Sequence, residues 1–341
     1  ALTTGIKNIL IGGEAGDAIT DADYNVAIGH GALSSNTIGS NSVAIGLNAL
    51  FWQNPATATD MYNTAVGYGT GSQITTGVNN TLIGGAAGDA LTTGNRNTVV
   101  GEAALSTDTL GARNVAIGNA ALNAQNFTTA TDSYSVAVGY AAGTSVTTGQ
   151  GNNIIGGLAG DALTEGGPNT IMGHRAVSTD TKGSKSVAIG AYTLYNQNFT
   201  TATDTYNTAV GVDAGLSVTT GVQNTLIGGL AGDATTDADR NVALGYNALG
   251  TNTVGSRSVA VGTGALLTQN PATATNMYNV AVGDDAGKLI TTGIENTALG
   301  SLSLDACTIG VTNTALGYGA LGGTIDGGNN VAVGAHTAAG D

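Results

Sequence analysis

A glycine recurs nineteen times along the chain, always directly after a large aliphatic residue. Successive spacings follow the order 17, 17, 17, 21, which gives a higher repeat of 72 residues. Self-similarity at a fixed period predicts a repeat fold, in which each unit packs mainly against its neighbours. The recurring glycines are Gly12, Gly29, Gly46, Gly67, Gly84, Gly101, Gly118, Gly139, Gly156, Gly173, Gly190, Gly211, Gly228, Gly245, Gly262, Gly283, Gly300, Gly317 and Gly334.

The residues before this glycine predict a short strand. With the glycine as position zero, minus one is Ile, Val, Leu or Met, and minus three is mostly Val or Thr. Minus two is Ala in thirteen units and a larger aliphatic residue in six. A short run rich in β-branched residues and closed by glycine is typical of a strand. Because the bulk lies at minus one and minus three, we expect these positions to point into the coil.

The opposite face of this strand is then the minus-two face, which is apolar in every unit. A strand that is apolar on both faces is normally covered on both faces, so the pattern predicts a partner against the alanines. The alternative is that alanine sits on a tolerant surface. The six larger residues favour the partner; they are Leu10, Leu82, Val99, Ile154, Ile171 and Leu226.

The other recurrent positions are also structural. Minus four is Asn in fifteen units and Ser in four, which predicts either a stacked amide ladder or turn caps. The glycine itself is expected to need a positive φ or a close neighbour. The stretch that follows, such as Gly29–Leu33, is expected to form a short second strand before a polar turn. The sequence therefore predicts an all-β parallel β-solenoid of about 19 coils, one continuous domain over residues 1–341 and a segment of a longer fibre protein.

Copies of the strand motif resemble the head repeats of trimeric autotransporter adhesins of the YadA and haemagglutinin type. They include NSVAIG at Asn41–Gly46, NTAVG at Asn63–Gly67 and NVALGYNAL at Asn241–Leu249. Closely similar repeats occur in phage tail fibres. The resemblance covers essentially the whole chain, and it implies a left-handed β-roll wound into a homotrimeric fibre.

Every fourth coil contains four extra residues, and this insertion concentrates aromatic and amide side chains. Loops at one edge of a solenoid commonly carry function, and aromatic faces beside amides could hold a sugar. The alternative is that the aromatic residues pin the longer loop to the coil. Tyr62, Tyr134, Tyr206 and Tyr278 precede the strand in these coils and are expected to be packing residues. The candidate ligand-binding residues are Trp52, Gln53, Gln125, Phe127, Tyr195, Gln197, Phe199 and Gln269.

No catalytic or metal-binding constellation is evident in the sequence. The three histidines, His30, His174 and His336, are scattered without zinc-ligand spacing. No nucleophile, base and orienting group can be assembled, so no enzyme, catalytic residue or cofactor is predicted. Calcium is an alternative to ordinary turn aspartates at a few sites. These are Asp17, Asp89, Asp161 and Asp233, which recur at 72 residues, and the pairs Asp21 with Asp23 and Asp237 with Asp239.

The charge composition argues against two classes of binding partner. Nine Lys and Arg stand against 23 Asp and Glu, a net charge of −14, so neither nucleic acid nor an anionic membrane surface is expected. We expect a non-enzymatic extracellular fibre segment, on a cell surface or a virion, whose partners are further copies of itself. A glycan- or receptor-binding module that uses the insertion loops is the alternative. Ice binding through the threonine-rich turns is a third hypothesis.

Overall fold

The computed structural model describes residues 3–338 and contains no helix among them. The chain is an all-β parallel β-solenoid of about nineteen turns, as the repeat predicts. It divides into two compact units, Ala1–Pro168 and Asn169–Asp341. Both units are built from the same coil, and each is described by itself below.

Each coil contributes one three-residue strand at positions minus three to minus one. In the first unit the strands are Ile9–Ile11, Val26–Ile28, Val43–Ile45, Thr64–Val66, Thr81–Ile83, Thr98–Val100, Val115–Ile117, Val136–Val138 and Asn153–Ile155. In the second unit they are Thr170–Met172, Val187–Ile189, Thr208–Val210, Thr225–Ile227, Val242–Leu244, Val259–Val261, Val280–Val282, Thr297–Leu299, Thr314–Leu316 and Val331–Val333.

Equivalent positions of successive coils pair in parallel. In the first unit Ala27 pairs with Ala44, and Ile28 pairs with Ile45. The register is the same where the strand residues differ, because Ala65 pairs with Leu82. Each repeat position therefore forms a column along its unit, and one position can be followed from coil to coil.

The expected orientation of the strand is wrong. From Ala27 to Ala315 every minus-two side chain is fully buried inside the coil, whereas minus one and minus three face outward. Ile83, at minus one, is 41% exposed. The interior of a seventeen-residue coil is too narrow for the larger face, so the small residues point inward. The apolar surface left for a partner is consequently the minus-one and minus-three face, not the alanine face.

The larger minus-two residues are accommodated inside the coil, opposite glycines. A Cβ added to Gly71 would lie 2.7 Å from Leu82 Cδ1, and one added to Gly215 would lie 2.8 Å from Leu226 Cδ1. Large and small side chains thus alternate across the interior and fill it. These residues require no partner outside the coil. They therefore do not support a partner against the minus-two face, as the sequence pattern had indicated.

The expected second strand after the glycine is absent from the described residues; a turn takes its place. Positions plus two and plus four have positive φ, 52° at Ala103 and 49° at Leu105. The N–H groups of these two positions point to opposite neighbouring coils. Ala103 N donates to Gly85 O in the preceding coil, and Leu105 N donates to Ala121 O in the following coil, both at 2.9 Å. The turn is hydrogen-bonded between coils although it is not a strand.

Both roles expected for the recurring glycine are confirmed. All nineteen have φ between +123° and +144°, a region that side chains with a Cβ rarely adopt. They also stack closely, because a Cβ on Gly29 would lie 2.6 Å from the carbonyl oxygen of Gly46.

The asparagine column forms the expected ladder and also bonds to the turns. Asn80 N donates to Asn63 Oδ1 at 2.9 Å, and Asn97 N donates to Asn80 Oδ1 at 3.0 Å. Asn80 Nδ2 also donates to Gly94 O at 2.9 Å, so the Asn80 side chain binds both the turn that leads into the following coil and Asn97 of that coil. Most of this column is buried, where hydrogen-bonded amides are stable and unpaired ones are not.

Candidate functional site in the insertion loops and on the outer strand face

Each four-residue insertion adds a two-residue parallel ladder to the coil before it. The tips of the loops, residues 56–58, 128–130, 200–202 and 272–274, are exposed. The paired segments are Gly39–Ser40 with Thr59–Asp60, Gly111–Ala112 with Thr131–Asp132, Gly183–Ser184 with Thr203–Asp204, and Gly255–Ser256 with Thr275–Asn276.

The four candidate glutamines, Gln53, Gln125, Gln197 and Gln269, are fully buried. Gln53 Oε1 accepts hydrogen bonds from Asn63 Nδ2 at 3.0 Å and from Ser42 Oγ at 3.2 Å. The structure therefore places these side chains among the polar columns of the interior, where they anchor the loop.

The candidate aromatic residues divide into two groups. Phe127 and Phe199 are buried, in keeping with the alternative that they pin the loop. Trp52 is 50% exposed and contacts Phe51 edge to face at 4.9 Å between ring centroids. Tyr195 is half-buried. Of the eight candidates, Trp52 and Tyr195 present side-chain surface to a ligand.

Tyr195 belongs to a small aromatic cluster that the sequence pattern did not indicate. Its ring lies 5.8 Å from that of Tyr192, which lies 5.6 Å from that of His174. The three residues come from two successive coils of the second unit. The other histidine at the same repeat position, His30, lies 3.8 Å from Glu14 in an exposed pair.

Two buried carboxylates were also missed by the sequence analysis. Asp108 accepts hydrogen bonds from Gln125 Nε2 at 2.8 Å and from Gly111 N at 3.0 Å. Asp180 accepts one from Gln197 Nε2 at 2.6 Å in the second unit. Burial raises the pKa of Asp108, and the hydrogen bonds from Gln125 and Gly111 oppose that rise. Both carboxylates are fully buried and hold the loops.

The buried acid varies together with the loop residue that faces it. Asp108 is paired with Phe127, whose N–H lies 3.4 Å from Asp108 Oδ1. In the first insertion the equivalent residues are Asn36 and Pro55, and proline has no N–H to donate. Asn36 instead donates to Gly39 O at 2.7 Å. A comparison of the four repeats could have revealed this pattern: Asp180 with Phe199 follows the first arrangement, and Asn252 with Pro271 follows the second.

Some of the calcium candidates are engaged in bonds between coils, whereas Asp89 Oδ1 and Asp233 Oδ1 are buried and have no hydrogen-bond partner among residues 3–338. Asp17 accepts from Ser34 Oγ at 2.8 Å, and Asp239 accepts from Val222 N at 2.8 Å. Hydrogen bonds from Thr219 and Thr220 lower the pKa of Asp237. Within residues 3–338, no three His, Cys, Asp or Glu side chains are grouped so as to hold a metal ion. No helix in that range is long and apolar enough to cross a membrane.

The outer strand face is an exposed apolar feature of each unit. Tyrosines at minus five extend it: Tyr62, Tyr134, Tyr206 and Tyr278 are 49–59% exposed in the single chain. Three of them also contact a cation of the preceding coil, as Tyr206 does with Lys185. The more exposed minus-one residues are Ile11, Ile83, Ile117, Ile155, Met172, Leu244, Val282, Leu299, Leu316 and Val333.

No protein-family model matches the chain, and no curated protein is significantly similar to it in sequence. The resemblance to adhesin and tail-fibre repeats is therefore a hypothesis that rests on the motifs themselves.

Proposed function

We propose that the chain is a non-enzymatic segment of an extracellular fibre, an adhesin head or a phage tail-fibre shaft, in which three copies wind side by side. The single observation that carries the proposal is the outer strand face. The minus-one column of Ile, Leu, Met and Val is at least partly exposed on every coil, and its ten more exposed members are 36–64% exposed, which is unusual for a soluble monomer. Burial of this face between copies gains about 25 cal/mol for each Å² of apolar surface removed from water.

Left-handed winding and the number of three copies are taken from the resemblance to adhesin heads. The exposed outer face supports self-association without specifying the number of copies. A regular coil whose polar side chains are used in ladders between coils is suited to spacing and presentation. A fibre of this kind functions on a cell surface or a virion, with a surface glycan or protein as the further partner.

The experiment is to disrupt the outer face without disturbing the interior. Ile83→Lys together with Leu316→Lys places charges in the exposed column of each unit, and the pair should convert an oligomer into a folded monomer. Thr93→Lys with Thr148→Lys, in exposed turns, is the matched control and should leave the mass unchanged. A wild-type protein that is a folded monomer at micromolar concentration would refute the proposal.

Ligand binding through the insertion loops is the second candidate function, favoured by one observation. The loop of the first insertion exposes Trp52 beside an Ala-Thr-Ala tip, and aromatic rings are common sugar platforms. Loss of binding on a glycan array in Trp52→Ala, with binding retained in the buried-ring variant Phe127→Leu, would support it. Binding that survives Trp52→Ala and Tyr195→Ala together would exclude the aromatic mechanism.

Ice binding has weaker support. A threonine column at plus eight runs through most coils, but its hydroxyls donate to backbone carbonyls of the next coil, as Thr92 Oγ1 does to Thr109 O at 3.0 Å. The neighbouring plus-nine column mixes Asp21, Ile38 and Thr76, which does not form a uniform array. A thermal-hysteresis measurement tests this hypothesis, and no hysteresis is expected.

A further inference from the structure

One half-buried cation of this acidic chain has no partner within it. No hydrogen bond or ion pair engages the Arg175 guanidinium among residues 3–338. Other half-buried cations are paired: Arg113 Nε lies 2.9 Å from Asp132 Oδ2, and Lys288 Nζ lies 2.8 Å from Asp285 Oδ2. A guanidinium carries five N–H donors and a permanent charge, so Arg175 retains its full capacity to bind an anion.

Arg175 belongs to the same surface as the aromatic cluster of His174, Tyr192 and Tyr195. It follows His174 in the chain and shares the plus-two position with Tyr192 of the next coil. Arg175 and Tyr192 have nearly the same φ, 54° and 56°. Equivalent residues of successive coils lie about 4.8 Å apart, so the two side chains start from adjacent points of one column. His174 is exposed and Tyr192 is 37% exposed. We name these four residues the arginine patch.

The corresponding surface of the first unit lacks this combination. His30 occupies the repeat position of the patch histidine, but it lies 3.8 Å from Glu14. Gly31 and Asn48 stand where the patch has its arginine and its first tyrosine. The fold of the repeat alone therefore does not produce the patch; the residues of the third super-repeat do.

The side chains of the arginine patch define the chemistry of a ligand. A guanidinium binds a carboxylate through two parallel hydrogen bonds, a geometry that lysine does not reproduce. Exposed aromatic rings accept the apolar face of a ligand, and nearby polar groups fix its orientation. The hydroxyls of Tyr192 and Tyr195 make no hydrogen bond among residues 3–338 and are open to one. A ligand that suits all these groups carries a carboxylate on a hydroxyl-bearing ring.

The surrounding charge limits such a ligand to one negative group. Asp213 occupies the plus-two position of the coil after Tyr192 and is half-buried. Its carboxylate repels a second anionic group at that end of the patch, whereas it accepts a hydrogen bond from a hydroxyl. The net charge of −14 also opposes the approach of a polyanion, such as a polyacidic peptide. One carboxylate is what a single guanidinium balances.

We propose that the arginine patch binds a sugar acid at the end of a glycan, a residue of the uronic acid class. The carboxylate lies on Arg175, and the sugar ring lies against Tyr192 and Tyr195. This inference rests on the second candidate function, ligand binding beside the insertion loops, and names the class of ligand for the third insertion. It does not depend on how many copies of the chain associate.

The test compares a charged and a neutral sugar on matched variants. Methyl β-D-glucuronide and its neutral counterpart, methyl β-D-glucoside, are titrated and followed by saturation-transfer NMR. Arg175→Asn removes the guanidinium at a position that Asn247 occupies in another coil. Arg96→Asn is the control with the same charge change, because Arg96 is exposed and Asn79 holds its position in the preceding coil. We expect the glucuronide to bind wild type and the control equally, and Arg175→Asn at least about tenfold more weakly. The glucoside should bind all three proteins with the weaker affinity.

Two further measurements test the contribution of the rings. Tyr192→Ala is compatible with the backbone, because Ala103 has the same repeat position and a φ of 52°. It should weaken glucuronide binding about threefold or more, since the ring face is lost. Acetate carries the carboxylate without the ring and should not displace the glucuronide at equal concentration. Displacement by acetate would overturn recognition of the sugar.

The outcomes separate this inference from the proposed functions. A wild type that binds neither glycoside, or glucuronide binding that Arg175→Asn does not weaken, overturns the inference. Glycan-array binding that depends on Trp52 would in that case still support the second candidate function. Weaker self-association of Arg175→Asn, without a change in glycoside binding, also overturns the inference, because another copy would then hold the guanidinium. The mass of the wild-type species decides the fibre proposal separately.

Discussion

Asp108 and Gln125 meet inside the coil, where Asp108 Oδ2 accepts a 2.8 Å hydrogen bond from Gln125 Nε2 and both side chains are fully buried. The acid belongs to the coil before the insertion, and the glutamine belongs to the insertion coil. The pair therefore fastens the longer loop to its neighbour through the interior. Asp180 and Gln197 repeat the contact in the second unit.

The stability of the first unit should depend on the protonation of Asp108. Because burial raises its pKa in the fold, the folded state binds this proton more tightly than the unfolded state does. The resulting stabilisation is present below the ordinary pKa of 3.8 and is lost as pH rises through the elevated value. When the pH is lowered from about 7 to about 4, the free energy of unfolding of the wild type should rise relative to that of Asp108→Asn. The rise should be up to about 1.4 kcal/mol for each unit by which the fold raises the pKa. Denaturant unfolding of both proteins at the two pH values measures this, and a constant difference would contradict it.

Replacing the buried amide by an acid in the first insertion should cost more stability than replacing the buried acid by an amide in the second. Asn36→Asp places a carboxylate against Gly39 O, where Pro55 has no N–H to donate, and should cost about 2–3 kcal/mol at neutral pH. Asp108→Asn retains an acceptor for Gly111 N and should cost less than about 1 kcal/mol. Urea unfolding of the two variants at the same pH compares them. Equal costs would show that the loop residue, Pro55 or Phe127, does not determine whether Asn or Asp is preferred at the buried position.

Asn114 offers a stabilising substitution. Its side-chain amide is fully buried and has no hydrogen-bond partner among residues 3–338, whereas Ser42 at the equivalent position bonds to Gln53. The next coil shows the reverse exchange, Ser135 where the first insertion has Asn63. Asn114→Ser with Ser135→Asn restores the arrangement of the first insertion. It should raise the free energy of unfolding by about 1–2 kcal/mol, since a buried unpaired amide is removed. A lower midpoint in chemical denaturation would contradict this.

Glycines in this chain should differ sharply in their tolerance of substitution. Gly29→Ala sets a side chain at φ +128° with its Cβ 2.6 Å from Gly46 O, and should cost at least about 3 kcal/mol. Gly69→Asn is the matched control, because nothing lies within 4 Å of its added Cβ and Asn48 occupies the same repeat position in the preceding coil. The control should stay within about 0.5 kcal/mol of wild type in thermal unfolding. Similar losses in both variants would contradict the role assigned to the stacked glycine column.

Periodicity predicted the parallel solenoid, the strand, the glycine conformation and the asparagine ladder, because these repeat with every coil. It did not predict which strand face points inward. That depends on the width of the interior, where Leu82 lies against two glycines, Gly71 and Gly88, that leave room for its side chain. The stretch after the glycine has strand-like composition, yet alternating positive φ, as at Leu105, makes it a turn.

The candidate site was harder to predict, because a loop rich in Gln and Phe has the same composition whether it binds a ligand or fills an interior. Gln53 and Phe127 prove buried, and Trp52 exposed. The signal that sequence reasoning overlooked lies between repeats: Asp108 occurs with Phe127, whereas Asn36 occurs with Pro55.

The central claim, self-association through the outer strand face, is tested most directly by sedimentation equilibrium of the wild-type chain. We expect a single species with the mass of three 33.2 kDa chains over a wide concentration range. Ile83→Lys with Leu316→Lys should convert it to a folded monomer. A folded wild-type species with the mass of one chain at every concentration would contradict it.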